Sequence, residues 1–305
     1  MKQNESSMTA LVAAFGRAYH SQYDSPKIFN DDVVQKLISP QEFADIRGHM
    51  VQGIAFFSPE ISERYPDDPE AILRWIVQVQ LSPMPLARAA YCEAIVLHEL
   101  SLGLKQYVIL GAGLDSFAYR YPELGEQLEI FEVDAPATQA SKQLRLKEAQ
   151  LAVPGNLHLV PMDFTGEFSY SGLYEQGFDP EVKTLFSLLG VSYYLTKEEN
   201  ARLITELLAR VPSGSSIVLD YADEYLMEEQ GVSGRVAKMV QMAAASGEPM
   251  QSWFSYPEME ELLAGAGLLV YEHLSPAEIN ERFFSGRSDA LCAFETIHYI
   301  HAVKR

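Results

Sequence analysis

An α/β fold is predicted for this 305-residue chain: a mostly parallel sheet with an antiparallel terminal strand, preceded by helices and interrupted by one helical insertion. Three features lead there. Apolar residues recur at helical intervals up to about Leu100; short β-branched runs then alternate with helix-period segments; and the first of those runs ends in a glycine turn that opens a helix. A hydrophobic content of 48% is ample for a core of this size.

Taken in order, the region from Met8 shows apolar spacings such as Leu11, Phe15 and Ala18, then Val33, Val34 and Leu37. Ser25-Pro26, Ser39-Pro40, Ser58-Pro59 and Ser82-Pro83 each put Ser before Pro, where chains turn or helices restart. Several short helices therefore fit better than one long one, and Tyr65 to Pro69 marks a surface turn. Residues 1–100 read as a helical region packing on the core, and 101–305 as the α/β domain. Gln106 to Leu110 is the first strand, followed by Gly111-Ala112-Gly113-Leu114-Asp115. Further strands are predicted at 128–133, 157–160, 183–187, 216–220, 268–272 and 290–302. The last is long and is expected to run antiparallel at or near an edge. Between them, residues 224–255 break the sheet-forming pattern with Met227, Met239, Met242, Met250, Trp253 and Phe254, and read as a helical lid.

Charge narrows the partners. Lys and Arg number 23 against 42 Asp and Glu, a formal charge of −19, so nucleic acid or an anionic membrane meets a repulsive field. The segment before Ala10 is polar and lacks the order of a signal peptide, and no run approaches the roughly 18 apolar residues that span a bilayer. The two cysteines, Cys92 in a predicted helix and Cys292 in a predicted strand, form no C-x-x-C pair and read as core thiols of a reducing, cytoplasmic protein. No metal site is expected, since the histidines are scattered without an i, i+4 pair.

In open α/β sheets a ligand sits beyond the carboxyl ends of the strands, where the winding reverses. Gly111 and Gly113 follow the first strand, letting the chain turn tightly and a ligand approach bare backbone. Asp115 comes next, where it can accept from an ammonium group or a water. The second strand ends in Asp134, about 20 residues after the turn, where a carboxylate can chelate both hydroxyls of a ribose. This pair supports an adenosine-type ligand and leaves the cofactor open. Two details favour methyl transfer over a dinucleotide. The third glycine that cradles a pyrophosphate is absent, Phe117 or Ala118 standing there. A further acid, Asp163, follows the third strand, placed to receive an adenine amino group with Phe164 packing near the ring. Arg88, on a helix before the first strand, offers a guanidinium suited to a bidentate grip on a carboxylate.

With these residues assembled, the chain resembles the leucine carboxyl methyltransferase family, including bacterial members known as polyketide O-methyltransferases. The resemblance runs from Thr9-Ala10, Arg17-Ala18 and Ile28 to Asp31, through Leu86-Ala87-Arg88 and Gln106 to Arg120, to Phe131 to Pro136 with Lys142. It continues in Val160 to Asp163, Gly190 to Leu195, Gly214-Ser215 and Leu219 to Tyr221. It implies a Rossmann-like class I methyltransferase sheet and S-adenosyl-L-methionine as cofactor. By the same resemblance Arg88 holds the methionine carboxylate, Gly111, Ala112 and Gly113 face the cofactor, Asp134 binds ribose and Asp163 contacts adenine. One departure stands out: many members read Glu-Gly where this chain has Leu189-Gly190, so an acid beside the cofactor is missing.

Methyl transfer from a sulfonium is an in-line displacement, in which the protein mainly aligns the nucleophile and excludes water. A carboxylate acceptor is already ionised at neutral pH, whereas an alcohol or phenol gains from a proton acceptor nearby. Tyr193, Tyr194 and Tyr221 follow the fourth and fifth strands and are the candidates for lining an acceptor pocket. The expected activity is O-methylation of a small-molecule hydroxyl or carboxylate. Two alternatives remain: a cofactor-binding protein without turnover, and an NAD(P)-dependent oxidoreductase.

Overall fold

The computed structural model describes residues 7–163, 168–228 and 231–305. The Ser-Pro steps delimit the early helices. α1 (Met8–Tyr23) is capped by Ser7, and α2 (Pro40–Gln52) by Ser39, which forms a reciprocal capping box with Glu42. α3 (Ile54–Phe57), α4 (Pro59–Arg64) and α5 (Pro69–Ile76) follow, the last two capped by Ser58 and Asp68. A π turn, Val77–Leu81, leads through Ser82 into α6 (Pro83–Ser101). Helix throughout does not hold over residues 24–33, an irregular stretch pinned by Asp31, which pairs with Arg17 and accepts from the Val34 N–H.

The strands are β1 (Gln106–Leu110), β2 (Glu129–Asp134), β3 (Leu157–Pro161), β4 (Thr184–Leu188), β5 (Ser216–Ala222), β6 (Leu268–Leu274) and β7 (Ile297–Lys304). Between them lie α7 (Phe117–Arg120), α8 (Pro136–Glu148), α9 (Ser171–Glu175), α10 (Lys197–Ala209), α11 (Arg235–Ala245), α12 (Tyr256–Gly265) and α13 (Pro276–Phe284). One seven-stranded sheet results, in the order β3-β2-β1-β4-β5-β7-β6. β1 to β5 are parallel, and β7 inserts antiparallel between β5 and β6, one place from the edge.

The terminal strand is shorter than its apolar run predicts. Leu291 and Phe294 are buried, yet the carbonyls of Cys292 and Ala293 accept from the Arg235 guanidinium instead of joining a ladder. The strand therefore starts only at Ile297, and Cys292 lies outside it, contrary to expectation.

β1, β4 and β5 are buried at every position, which is why they read as continuous apolar runs. Their residues alternate between two layers. Tyr107, Ile109 and Val218 pack with Leu86, Tyr91 and Val96 of α6, while Val108, Leu110, Leu219 and Tyr221 pack with Leu203 and Leu207 of α10. A third cluster joins Phe15, Leu37, Ile72 and Leu73 to Leu114 and Leu146, so the early helices close on the sheet domain. The winding reverses between β1 and β4, which opens a crevice at their carboxyl ends.

Candidate functional site

The floor of that crevice is the turn after β1. Gly111 has φ 70° and Gly113 has φ 52°, a left-handed region that other residues enter at a cost. The end of β2 fastens the turn: the Gly113 N–H donates to Asp134 Oδ2 at 2.6 Å, and the Ala135 N–H to Oδ1 at 2.7 Å. Burial raises the Asp134 carboxyl above its ordinary range, and the two N–H groups partly offset this. α1 rests directly on the turn, for a Cβ on Gly113 would lie 3.0 Å from the Ala10 Cβ.

On the β4 side, Arg88 reaches up from α6. Its Nη1 donates to the Tyr193 hydroxyl at 3.1 Å and stands 3.4 Å from Asp220 Oδ2. The other oxygen of Asp220 accepts from the Gly190 N–H at 2.7 Å. Gly190 has φ 75°, and a Cβ there would sit 2.4 Å from Arg88 Nη1, so the guanidinium occupies the space that glycine leaves. Burial works against the Arg88 charge, but Tyr193 and Asp220 hold its pKa above the usual value. Burial likewise raises Asp220, with Arg88 and the Gly190 N–H drawing it back.

Above the turn lies a cavity of about 780 Å³. Arg88, Gly111, Ala112, Gly113, Asp134, Asp163 and Leu189 all line it, as do Tyr193 and Tyr194. Seven of the predicted cofactor residues thus converge from the ends of β1 to β4 and from α6. Asp115 does not join them. Its Oδ1 accepts from the Phe117 N–H at 2.7 Å to start α7, and it faces a smaller cavity of about 80 Å³ behind the turn. Phe164 lies outside the described residues.

Tyr221 corrects the expectation for the acceptor pocket. Side chains alternate along β5, so with Asp220 turned to Arg88, Tyr221 points to the α10 layer and does not line the cavity. Its hydroxyl bonds His273 Nε2 at 3.1 Å, and its ring stacks on His298 at 5.1 Å. Burial raises the pKa of the Tyr193 and Tyr194 phenols, leaving both neutral near pH 7 as donors rather than bases.

Several lining residues carried no local signal. His49 and Met50 enter from α2, Gln80 from the π turn and Glu248 from the loop after α11, whereas Met239 and Met242 of α11 belong to the stretch read as a lid. Glu248 accepts from the Thr9 hydroxyl and, at 3.4 Å, from that of Ser7, joining the roof to the start of α1. Among the described residues no group of three or more His, Cys, Asp or Glu is arranged to hold a metal ion, and no helix is long and apolar enough to cross a membrane.

Comparison with known proteins extends the geometry. The leucine carboxyl methyltransferase family model matches residues 10–208. The chain is 61% identical, over 100% of both lengths, to YktD of Bacillus subtilis (strain 168), whose name assigns it to the S-adenosyl-L-methionine-dependent methyltransferases. A similarly named protein of Mycobacterium ulcerans (strain Agy99) is 26% identical over 70% of this chain and 64% of its own. In three dimensions, the crystal structure of a duf574 family protein from Streptomyces avermitilis MA-4680 superposes with a TM-score of 0.55 at 15% identity, covering 98% of each chain, a likeness of fold. The chain belongs to the leucine carboxyl methyltransferase family and is an S-adenosylmethionine-dependent methyltransferase on a Rossmann-like class I sheet.

Proposed function

We propose that the protein methylates an oxygen, hydroxyl or carboxylate, of a small apolar acceptor, in the reducing environment of the cytoplasm. The observation that carries this is that one cavity is lined both by Gly111, Asp134 and Asp163 and by the apolar side chains of Met50, Met239 and Met242. Methionine side chains adapt to apolar ligands of varied shape. At about 780 Å³ the cavity stands high in the roughly 300–1,000 Å³ range of ligand clefts, which leaves room for two molecules side by side.

The residues present fit the cofactor. Each Asp134 oxygen already accepts one backbone N–H, and a carboxylate offers about four lone-pair sites, so capacity remains for both ribose hydroxyls. Arg88 would hold the methionine carboxylate, Asp163 the adenine amino group, and the bare backbone of Gly111 to Gly113 would pass beneath. Leu189 would supply apolar contact beside it. When bound, the cofactor supplies a sulfonium-activated methyl group. The chain's contribution is to align the acceptor oxygen and exclude water. α11 and the loop carrying Glu248 would act as the lid, fastened to α1 through Ser7 and Thr9.

Titration calorimetry with S-adenosylhomocysteine, NAD and NADP tests the site. The expected result is binding of S-adenosylhomocysteine alone, weakened about tenfold or more by Asp134→Ala through loss of charged hydrogen bonds. Binding of a dinucleotide in its place would overturn the reading. A screen of small hydroxyl and carboxyl compounds for S-adenosylhomocysteine release would then separate an active transferase from a silent binder.

A further inference from the structure

The charges around the cavity bear on the acceptor. Two guanidiniums face it, Arg17 and Arg88, against four carboxylates, Asp134, Asp163, Glu199 and Glu248. Both cations are already met by a buried acid. Arg17 Nε lies 3.0 Å from Asp31 Oδ2 and its Nη2 donates to the Leu114 carbonyl, while Arg88 faces Asp220. Among the described residues no lysine lines the cavity. An acceptor carboxylate would therefore lose its hydration in an enclosure whose Arg17 is balanced by Asp31 and whose Arg88 is given, in the reading above, to the methionine carboxylate, and a buried charge without a partner of its own is strongly disfavoured. A neutral hydroxyl meets no such barrier, but it needs somewhere to put its proton.

The lining offers few places. In the reading above Asp134 and Asp163 are given to the ribose and the adenine, Glu248 accepts from the Ser7 and Thr9 hydroxyls, and Glu199 closes the capping box that starts α10. The Tyr193 and Tyr194 phenols hold their protons. His49 differs: among the described residues its ring is bonded to none, and it lines the wall beside Ile46 and Met50 on α2. Ile46 and Met50 share one hydrophobic cluster with Met242 of the roof, so this imidazole stands beside apolar lining. Imidazole is also the side chain whose proton exchange ordinarily falls nearest neutral pH.

We infer that the acceptor is a neutral alcohol or phenol, not a carboxylate, and that His49 receives its proton. The inference rests on the O-methyl transfer proposed above and narrows it. In the step, the acceptor O–H bond breaks and its proton passes to a ring nitrogen of His49. The oxygen's electron pair forms the new C–O bond, while the methyl carbon's bond to sulfur breaks and leaves its pair on sulfur. A sulfonium and a neutral alcohol thus become a neutral thioether, an ether and an imidazolium, and the exposed edge of His49 returns the proton to water.

The test is equilibrium titration of the full chain saturated with S-adenosylhomocysteine, using 2-naphthol, 2-naphthoate and naphthalene as probes at pH 8. Naphthol is expected to bind at least about tenfold more tightly than naphthoate, the equivalent of one charge left unpaired. His49→Leu is expected to weaken naphthol by about 3- to 10-fold, one lost hydrogen bond, with naphthalene and S-adenosylhomocysteine unchanged. Naphthoate binding as tightly as naphthol, no binding of either aromatic, or an equal response of naphthol and naphthalene to His49→Leu would each overturn the inference. Failure of S-adenosylhomocysteine itself to bind would instead sink the transferase site on which it rests.

Discussion

Replacing Gly190 by alanine places one methyl group where the Arg88 guanidinium now lies, 2.4 Å from Nη1 and 2.6 Å from Cζ and Nη2. Two separate costs follow. A φ of 75° puts alanine in the left-handed region, at about 1–2 kcal/mol. The guanidinium, at the end of a flexible chain, must also swing away from Asp220 Oδ2, now 3.4 Å distant. Asp220 keeps the backbone N–H of residue 190 but loses its charged neighbour, leaving a buried carboxylate half satisfied at a cost of about 1–3 kcal/mol. Thermal denaturation should show a fall of several degrees. For the cofactor product, losing a charge-assisted grip of about 1.5–3 kcal/mol means roughly 10- to 150-fold weaker binding of S-adenosylhomocysteine by calorimetry. In an Arg88→Met background the same substitution should cost only the backbone strain and weaken binding no further. An affinity within about twofold of the parent for Gly190→Ala alone would refute the assignment of Arg88 to the ligand.

Lys142 is buried against Glu132 and donates to the Asp115 carbonyl at 2.7 Å, and burial pushes the Glu132 carboxyl up to about 7 from its ordinary 4.5. The folded chain therefore holds that proton more tightly than the unfolded one, and stability falls as pH rises between those values. Lys142→Met should cost about 3–5 kcal/mol in urea denaturation at pH 8 and clearly less at pH 5; a loss independent of pH would count against it. Burial, with His298 beside it, holds the His273 imidazole down to about 4 from the usual 6.5, so the unfolded chain protonates first and stability is lost as pH falls through that window. His273→Leu should flatten that limb of the Tm profile. Arg235, the buried start of α11, donates to the Val79 carbonyl at 3.0 Å and pairs with Glu295. Arg235→Met should raise hydrogen exchange in α11 more than in α10; equal rises would show that the guanidinium is not what docks the helix.

Much of this molecule is written locally. β1, β4 and β5 were legible because strands covered on both faces need apolar side chains at every position. Helix starts at Ser39, Ser58 and Ser82 were legible because proline accepts the first helical position, where no N–H is needed. Asp134 was legible for a similar reason, as the acid that ends a strand next to a glycine turn. What escaped depends on distance in space. The run at 290–296 has the composition of a strand, but its carbonyls go to an arginine more than fifty residues away in sequence. His49 and Glu248 belong to ordinary amphipathic and loop segments, and only the packing of α2 and α11 over the glycine turn makes them walls of one cavity. Tyr221 was misplaced for want of parity: neighbours on a strand face opposite ways, so it and Asp220 cannot both look into the same site.

The roof contact between Ser7 and Glu248 joins residues 241 positions apart. Closing so long a loop directly costs chain entropy, a cost that falls once other contacts hold its ends near one another. The cavity is therefore a property of the nearly complete chain, and a ligand held inside it adds RT ln(1 + [L]/Kd) to the stability of the whole. The hydrogen bonds that close it are only part-buried, so parting them costs far less than global unfolding. If that contact is the lid's fastening, entry and exit would draw on fraying of the first helical turn, while resistance to denaturation draws on the entire fold. On the lid reading proposed above, one contact would sit on two free-energy scales, the smaller for exchange of ligand and the larger for survival of the protein.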